Sequence, residues 1–390
     1  MENLALEPKI LFSDYFNISK EAMDEYGAFD VSLILDLPLF IDPFLLFESD
    51  KPQYQQLHQE IIKYLTFLRD KSISGKLNDG LLKEWYFFKE VEQNWFGFST
   101  NKNRGNGLGE EFANALNANF YRLFPNYGEE NITSGTHLEK LCLFKDRVGK
   151  DNISDFTTNL IKHFLLDYTQ IFSKKYIDPK YCDIFRVKRA KFNYETESWQ
   201  EKTYYLPRIE GGSDGYVILT PKDLLTRDNT WINRQDLIDD FKNIPPSIPN
   251  IQLRAKINNY FITALPKQIQ KTSKKERDDA ARETIIQFPE IIDYYIKYKE
   301  DTGDGAKSIS RDKVAFSEDL YISKFKKLSY LLSQLTPFYK NRGDTYEESM
   351  QRVMYLKQVI ENNDGYRYFY DKSENPIRTE LEFGVRPLIV

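Results

Sequence analysis

The spacing of apolar residues predicts helices near the N-terminus and again throughout the C-terminal third of the chain. Between residues 53 and 75, apolar side chains recur every three or four positions, as on one face of an amphipathic helix. The same period returns at 251–265, 285–299, 322–335 and 346–361. These repeats predict a mainly helical segment after about residue 245.

Strand-like segments lie mostly before that point. Residues 31–47 are rich in β-branched and aromatic residues, and the two prolines within them oppose a helix. Further strands are predicted within 176–202, 204–209 and 216–220. The proline-rich stretch 243–250 is the predicted domain boundary. We therefore predict an α+β fold, with a mixed α/β domain at 1–245 and a mainly helical domain at 246–390.

Residues 139–172 combine an apolar run, an acidic loop and a long helical pattern. Residues 141–144 are apolar and predict a short buried strand. The spacing of apolar residues from 153 to 172 predicts one amphipathic helix. A glycine and three aspartates lie around the start of that helix, so this stretch is the strongest candidate for a metal or phosphate site.

The acidic loop has two interpretations, and the first is catalytic. Asp146, Asp151 and Asp155 would bind Mg²⁺ or Mn²⁺, because hard cations prefer carboxylate oxygens, and would support phosphodiester hydrolysis or transfer. Glu139 would add a further metal ligand, and Lys145 would stabilise developing negative charge. These five residues are the predicted catalytic and metal-binding residues.

The second interpretation is structural. Asn152 would be the N-cap of the helix, and Asp155, three positions later, would reach back as in a capping box. Asp146 and Asp151 would then be loop acids favoured by the positive end of the helix dipole. The residue types alone are compatible with either interpretation.

Asp42 presents a similar choice nearer the N-terminus. It follows the apolar residues 39–41, so its carboxylate could lie at the end of a strand. The pair Asp42-Pro43 is also typical of the start of a turn, and the turn is the interpretation that the sequence favours.

Basic and aromatic residues alternate in one short segment. Its basic residues are the predicted nucleic-acid-binding residues Arg186, Lys188, Arg189 and Lys191. Interleaved aromatic rings suit the stacking of bases in a single strand. The alternative is an edge strand whose cations are solvated and oppose aggregation.

Composition excludes several classes of protein. The formal net charge of -5 means that any nucleic-acid binding must come from a local basic patch. Two cysteines exclude a disulfide framework and a cysteine-only zinc site. His58, His137 and His163 lie far apart along the chain, which argues against a histidine-rich metal site.

The chain carries no pattern that directs it to a membrane or out of the cell. Its first residues lack a charged and then apolar leader. The longest apolar run, within 31–47, is interrupted by aspartates and prolines and is too short to span a bilayer. We therefore predict a cytoplasmic protein without membrane association.

Four segments resemble an uncharacterised bacterial family linked with mobile elements and phage defence. They are FIDPFLLF (40–47), EVEQNWFGFSTNKNRGNGLGEEF (90–112), DRVGKDNISDFTTNLI (146–161) and LTPKDLLTRDNTWIN (219–233). The resemblance implies a defence role. Longer members of that family resemble PD-(D/E)XK nuclease proteins, whose metal-binding acid pair is expected to be missing after Glu361 here.

Two functions follow as hypotheses. The first is a component of an anti-phage defence system that senses or acts on nucleic acid, with a Mg²⁺-dependent nuclease as its catalytic form. The second is a non-enzymatic scaffold or sensor that assembles with a protein partner or with a second copy. A weaker third hypothesis is nucleotide binding by the glycine-rich loop 105–109, which lacks the lysine of a Walker motif.

Overall fold

A computed structural model of the chain describes residues 11–33, 37–74, 77–96, 113–114, 116–117, 120, 127–143, 150–209, 215–227, 229–266, 272–319, 327 and 345–362. Several predictions fall outside these residues. They concern Lys145, Asp146, the glycine-rich loop 105–109 and most of the predicted helix 322–335.

Helices make up most of the described structure. Those before the β-hairpin are α1 (Phe12–Phe16), α2 (Lys20–Tyr26), α3 (Pro43–Phe47), α4 (Pro52–Ser74), α5 (Asp79–Tyr86), α6 (Lys140–Leu143), α7 (Lys150–Leu160) and α8 (Lys162–Tyr176). Those after it are α9 (Arg234–Asp239), α10 (Ile251–Ala264), α11 (Lys274–Gln287), α12 (Ile291–Asp301), α13 (Asp304–Ser317) and α14 (Thr345–Asn362). The helices predicted at 53–75, 251–265 and 346–361 are therefore confirmed.

The strands form two small antiparallel sheets. They are β1 (Phe40–Ile41), β2 (Cys182–Asn193), β3 (Ser198–Pro207) and β4 (Leu225–Thr226). β2 and β3 form a long hairpin with an irregularity in register between Val187 and Lys191. β1 pairs with β4, with Ile41 opposite Leu225. The predicted α+β fold class is confirmed.

Five local predictions are wrong. The predicted helix 285–299 is divided between α11 and α12, and residues 216–220 do not form a strand. Of the strand predicted at 141–144, residues 141–143 belong instead to the short helix α6. The pattern from 153 to 172 is divided between α7 and α8, which separate at Ile161. Residues 31–47 are not simply strand-like. Pro43 is the first residue of α3, where the missing amide hydrogen would have had no partner in any case.

The buried apolar residues form two clusters that meet near β1. The first surrounds α4, α7, α8 and the hairpin and includes Ile41 and Leu46. The second surrounds α9 to α12, and it also takes in Phe44, Leu45 and Leu143 from α3 and α6. The turn from β1 into α3, which contains Asp42, therefore lies where the two clusters adjoin.

Candidate functional site

The carboxylate of Asp42 is buried between β1 and α3. It is the N-cap of α3, and its Oδ1 accepts a hydrogen bond from the amide of Phe44 at 3.1 Å. Its Oδ2 accepts a second, from the amide of Trp231, at 2.6 Å. Asp42 therefore lies directly after β1 and directly before α3. Both interpretations of the sequence, a strand end and the start of a turn, describe part of this position. Only 2% of Asp42 is exposed.

Glu139 lies beside Asp42, and its buried carboxyl group has no hydrogen-bond partner in the part of the chain that the structure describes. It immediately precedes α6 and is 1% exposed. Within the described residues, neither of its carboxylate oxygens has a hydrogen bond. The nearby amide of Phe44 favours the charged form of Glu139, but its hydrogen bond goes to Asp42. A buried carboxyl group of this kind is costly, at roughly 1–3 kcal/mol or more when charged.

Burial changes the acidity of both carboxyl groups. It raises the pKa of Asp42 to about 6, although the amides of Trp231 and Phe44 and the charge of Lys299 act in the opposite direction. Burial, with the charge of Asp42 added to it, raises the pKa of Glu139 well above its usual value. Both carboxyl groups therefore favour their protonated, neutral form, and a cation that took the place of the proton would favour the ionised form.

Side chains from other elements surround this acid pair. Ser154 of α7 accepts a hydrogen bond from the amide of Ile41 at 2.9 Å, and this bond connects α7 to β1. The ammonium group of Lys299 lies 4.5 Å from the ring centroid of Trp231 and 2.6 Å from Asp236 Oδ2. A buried cation and the N-terminal half of α7 therefore both lie near Asp42.

A second buried polar group, formed by two histidines and a glutamate, lies against α3. His137 Nε2 is 2.9 Å from Glu300 Oε1, and the ring centroids of His137 and His58 are 5.8 Å apart. Burial disfavours the charged form of Glu300. Hydrogen bonds from His137 and from the amides of Ser134 and Gly135 outweigh that effect and lower its pKa. Phe47 of α3 packs against both histidine rings.

The predicted acids are only partly placed by the structure. Glu139 lies in the acid pair. Asp155 is half-buried in α7, and only the backbone of Asp151 is described. Lys145 and Asp146 lie outside the described residues, in the segment that joins α6 to α7. Their catalytic and metal-binding roles stay predictions.

The structure corrects the prediction that Asn152 is the N-cap of its helix. Helix α7 begins at Lys150, so Asn152 is its third residue and not the residue that caps it. The capping interpretation of Asp155, which required Asn152 at the N-cap, therefore loses its geometric basis.

The four predicted nucleic-acid-binding cations differ in availability. Arg186 is exposed and pairs with Glu201, and the side chains of Lys188 and Lys191 are exposed on β2. Arg189 points inward, donating hydrogen bonds to the carbonyl oxygens of Glu84 and Phe87. Its guanidinium group is 4.8 Å from the ring centroid of Trp199. Arg189 thus fastens the hairpin to α5, while the other three form the exposed basic patch.

Sequence reasoning missed the pairing of Asp42 with Glu139. The available signal was an acid directly after an apolar strand segment, which the following proline also explained as a turn. Sequence reasoning also missed that His58 and His137, far apart along the chain, lie in one cluster. Nothing local in the sequence indicates either contact.

The described part of the chain contains neither a larger cluster of metal-ligating side chains nor a membrane-spanning helix. Among those residues, no three or more His, Cys, Asp and Glu side chains converge on one point as a metal-binding group. The acid pair provides two carboxylates, which is the number that Mg²⁺ commonly takes from a protein when water and phosphate complete its coordination. None of the described helices is both long and apolar enough to cross a bilayer.

Comparison with known proteins identifies the family. The family model described as Domain of unknown function (DUF8370) matches residues 17–233, more than half of the chain, so the chain belongs to this family. Asp42, Glu139 and Ser154 lie inside the matched region, whereas Lys299 lies outside it. No curated protein and no solved structure matches the chain.

Proposed function

We propose that this member of the DUF8370 family is a component of a bacterial anti-phage defence system that cleaves nucleic acid with a divalent cation. The observation that supports the chemistry is the buried pair of carboxyl groups of Asp42 and Glu139, of which Glu139 has no hydrogen-bond partner among the described residues. The resemblance of four segments to a defence-linked family supports the biological setting.

A bound cation would explain why the fold retains so costly a group. Burying a carboxylate without partners destabilises a protein, whereas the same carboxylate becomes favourable once it binds a cation. Mg²⁺ or Mn²⁺ bound at such a site would polarise a phosphoryl oxygen and lower the pKa of a bound water. Asp42 and Glu139 would hold the cation, with Asp146, Asp151 and Asp155 as the predicted further ligands.

The chain's own groups would assist in two ways. The amides of Phe44 and Trp231 fix the Asp42 carboxylate, so it is oriented before any cation binds. Lys299, whose charge acts on Asp42, and the predicted Lys145 would offset the negative charge that develops on a phosphoryl group in the transition state. Nucleic acid would be guided by the exposed basic patch of Arg186, Lys188 and Lys191.

The activity is tested with purified protein, supercoiled plasmid and single-stranded RNA in the presence of Mg²⁺ or Mn²⁺. We expect Glu139→Gln and Asp42→Asn to lower the rate of cleavage at least about 100-fold, because each removes a carboxylate that holds the cation. Glu21→Gln, which neutralises an exposed acid of α2, is the matched control and should leave the rate unchanged.

The double variant Asp151→Ala/Asp155→Ala separates the predicted loop acids from the buried pair. A loss of cleavage in this variant with retained folding, measured by circular dichroism, assigns them to the site. Cleavage that survives in Glu139→Gln, or none by the wild-type protein on either substrate, would rule out the enzymatic proposal.

A second candidate function, the non-enzymatic scaffold, is favoured by an exposed apolar surface on α14. Four of its residues are largely exposed: Tyr346 (73%), Met350 (45%), Val353 (57%) and Met354 (55%). Their spacing of three and four places them on one face of the helix. An apolar stripe of this kind is typical of a surface that packs against another chain.

This candidate is tested by size-exclusion chromatography with light scattering. If α14 mediates self-assembly, Met350→Lys/Met354→Lys should shift an oligomer to the monomer, because two buried charges would oppose association. Ile251→Lys/Ile262→Lys alters two exposed apolar residues of α10 and should leave the mass unchanged. A wild-type protein that is monomeric at every concentration would contradict self-assembly through α14.

A further inference from the structure

We infer that a cavity between α3 and α13 binds the phosphate group of a nucleotide-sized phosphate ester, and that the natural source of this ligand is the end of a nucleic-acid strand. The choice of source rests on the proposed function, whereas the binding of the phosphate group rests on the cavity alone. Nothing in the proposed cleavage chemistry requires this second site.

The cavity has the size and the mixed lining of a small-molecule site. Its volume is about 490 Å³, within the range of about 300–1,000 Å³ that is typical of ligand pockets. It lies between the end of α3, the short 3₁₀ turn Lys222–Leu224 and one face of α13. Leu45 and Val314 contribute apolar surface, and lysines and an arginine contribute positive charge.

Two of the lining cations are already engaged in ion pairs. Lys51 pairs with Asp223, and Lys222 lies 2.6 Å from Asp24 and 2.5 Å from Glu318. These pairs fix the walls of the cavity and leave little capacity for a ligand.

The other two cations are held less tightly, because Lys307 has only long ion pairs. Lys307 Nζ is 3.8 Å from Glu48 and 3.5 Å from Asp50, too far for a good hydrogen bond to either. Arg311 has no hydrogen bond or ion pair within the described residues and lines the same cavity. Lys307 and Arg311 are four residues apart on α13, so their side chains leave the same face of the helix.

This pair of cations matches a phosphate group. An arginine fork donates two parallel hydrogen bonds to phosphate oxygens, and a nearby lysine adds a point charge. The acids Asp50, Asp223 and Glu318 also line the cavity and would repel any further phosphate groups that entered it beside the terminal one. The lining therefore favours one phosphate group with an attached sugar and base over the continuous backbone of a duplex.

The cavity and the acid pair share one helix. Asp42 caps the N-terminus of α3, and Leu45, one turn later, lines the cavity. Residues three apart on a helix are neighbours, at about 5–6 Å between their Cβ atoms. A strand end held in the cavity would thus lie close to α3, the helix on which the proposed cleavage site is built.

Binding is measured by fluorescence anisotropy with a labelled ten-nucleotide DNA carrying a 5′-phosphate, in a buffer with EDTA so that cleavage cannot occur. The same strand with a 5′-hydroxyl and free AMP as a competitor identify the group that is recognised. We expect the 5′-phosphate to tighten binding at least about tenfold, because charge-assisted hydrogen bonds to Arg311 and Lys307 would be lost without it.

The double variant Arg311→Ala/Lys307→Ala should abolish that preference and raise Kd for the phosphorylated strand about 10–100-fold. Lys256→Ala/Lys275→Ala removes the same charge from exposed positions on α10 and α11 and should keep the preference. Competition by AMP that equals the phosphorylated strand would place the free nucleotide, not the strand end, in the cavity. Equal binding of both strands by the wild-type protein, or an equal loss in both double variants, would overturn the proposal.

Titration of Mn²⁺, monitored by calorimetry, separates this proposal from the proposed function. Arg311→Ala/Lys307→Ala should bind Mn²⁺ as the wild-type protein does, because neither residue belongs to the acid pair. Glu139→Gln should lose Mn²⁺ binding and keep its preference for the 5′-phosphate. If the protein binds Mn²⁺ but shows no preference for the 5′-phosphate, the cavity proposal is wrong. If it prefers the 5′-phosphate but does not bind Mn²⁺, the proposed function is wrong.

Discussion

Replacing Glu139 with methionine is expected to stabilise the metal-free protein by about 1–4 kcal/mol, although most substitutions of buried residues destabilise. The Glu139 side chain is buried and, among the described residues, makes no hydrogen bond with either oxygen. Methionine has a similar length and no polar group that requires a partner. The variant therefore removes the cost of burying a carboxyl group and keeps the packing around α6.

Glu300→Met is the matched control for this prediction, because the Glu300 side chain is also almost completely buried, at 3% exposed. Glu300 is held by His137 and by two backbone amides, so its removal leaves three polar groups without a partner. We expect that variant to lose about 3–5 kcal/mol. Urea unfolding at neutral pH in EDTA measures both changes, and a loss of stability in Glu139→Met would show that Glu139 has partners.

A comparison of the wild-type protein with Glu139→Met also tests whether the acid pair binds a cation. Mg²⁺ or Mn²⁺ at 100 times its Kd should stabilise the wild-type protein by about 2.7 kcal/mol, since only the folded state holds the acid pair together. Glu139→Met should show no such gain. The stability of the two proteins should therefore differ in EDTA and converge, or reverse in order, with the cation present.

Acidification is expected to destabilise the protein through His58. Burial, and the neighbouring ring of His137 after it, lower the pKa of His58 from 6.5 to about 3. In the unfolded chain this histidine takes up a proton below about pH 6.5, whereas the folded protein keeps it neutral until about pH 3. The unfolded state thus binds more protons in this window, and the free energy of unfolding falls as the pH falls.

The expected contribution of His58 is a loss of about 2.5 kcal/mol between pH 7 and pH 4.5. His58→Gln should remove it, so the variant should lose stability less steeply than the wild-type protein over this range. Asp42 acts in the opposite direction, because its raised pKa makes the folded protein take up a proton first. The comparison of the two proteins cancels that contribution, and parallel pH profiles from urea unfolding would contradict the buried neutral state of His58.

Local sequence patterns predicted several elements well. The long helix α4 follows from apolar spacing, because a side chain every three or four residues must lie on one face. The sequence pattern gave wrong predictions where tertiary contacts outweighed the local preference for a strand or a helix. The apolar residues 141–144 have the composition of a strand, but among the described residues no strand pairs with 141–143, and residues 140–143 form α6 instead.

In the candidate site, too, the sequence predicted some features and only the tertiary structure showed others. Glu139 was predicted as a metal ligand from its position before an acidic loop. Asp42 was interpreted chiefly as the start of a turn, since its proline neighbour sufficed to explain it. Its role as the N-cap of α3 is local, whereas its hydrogen bond from Trp231 and its pairing with Glu139 are not.

The sequence by itself determined the helical periods, the hairpin strands, the supply of carboxylates around α7 and the α+β class, because each depends on residues close together along the chain. Only the tertiary structure decided that Asp42 meets Glu139, that Arg189 turns inward and that Lys307 and Arg311 line a cavity. Those outcomes depend on how two apolar clusters pack against each other. A period of 3.6 residues fixes which face of a helix is apolar, but it does not fix which distant side chains that face brings together.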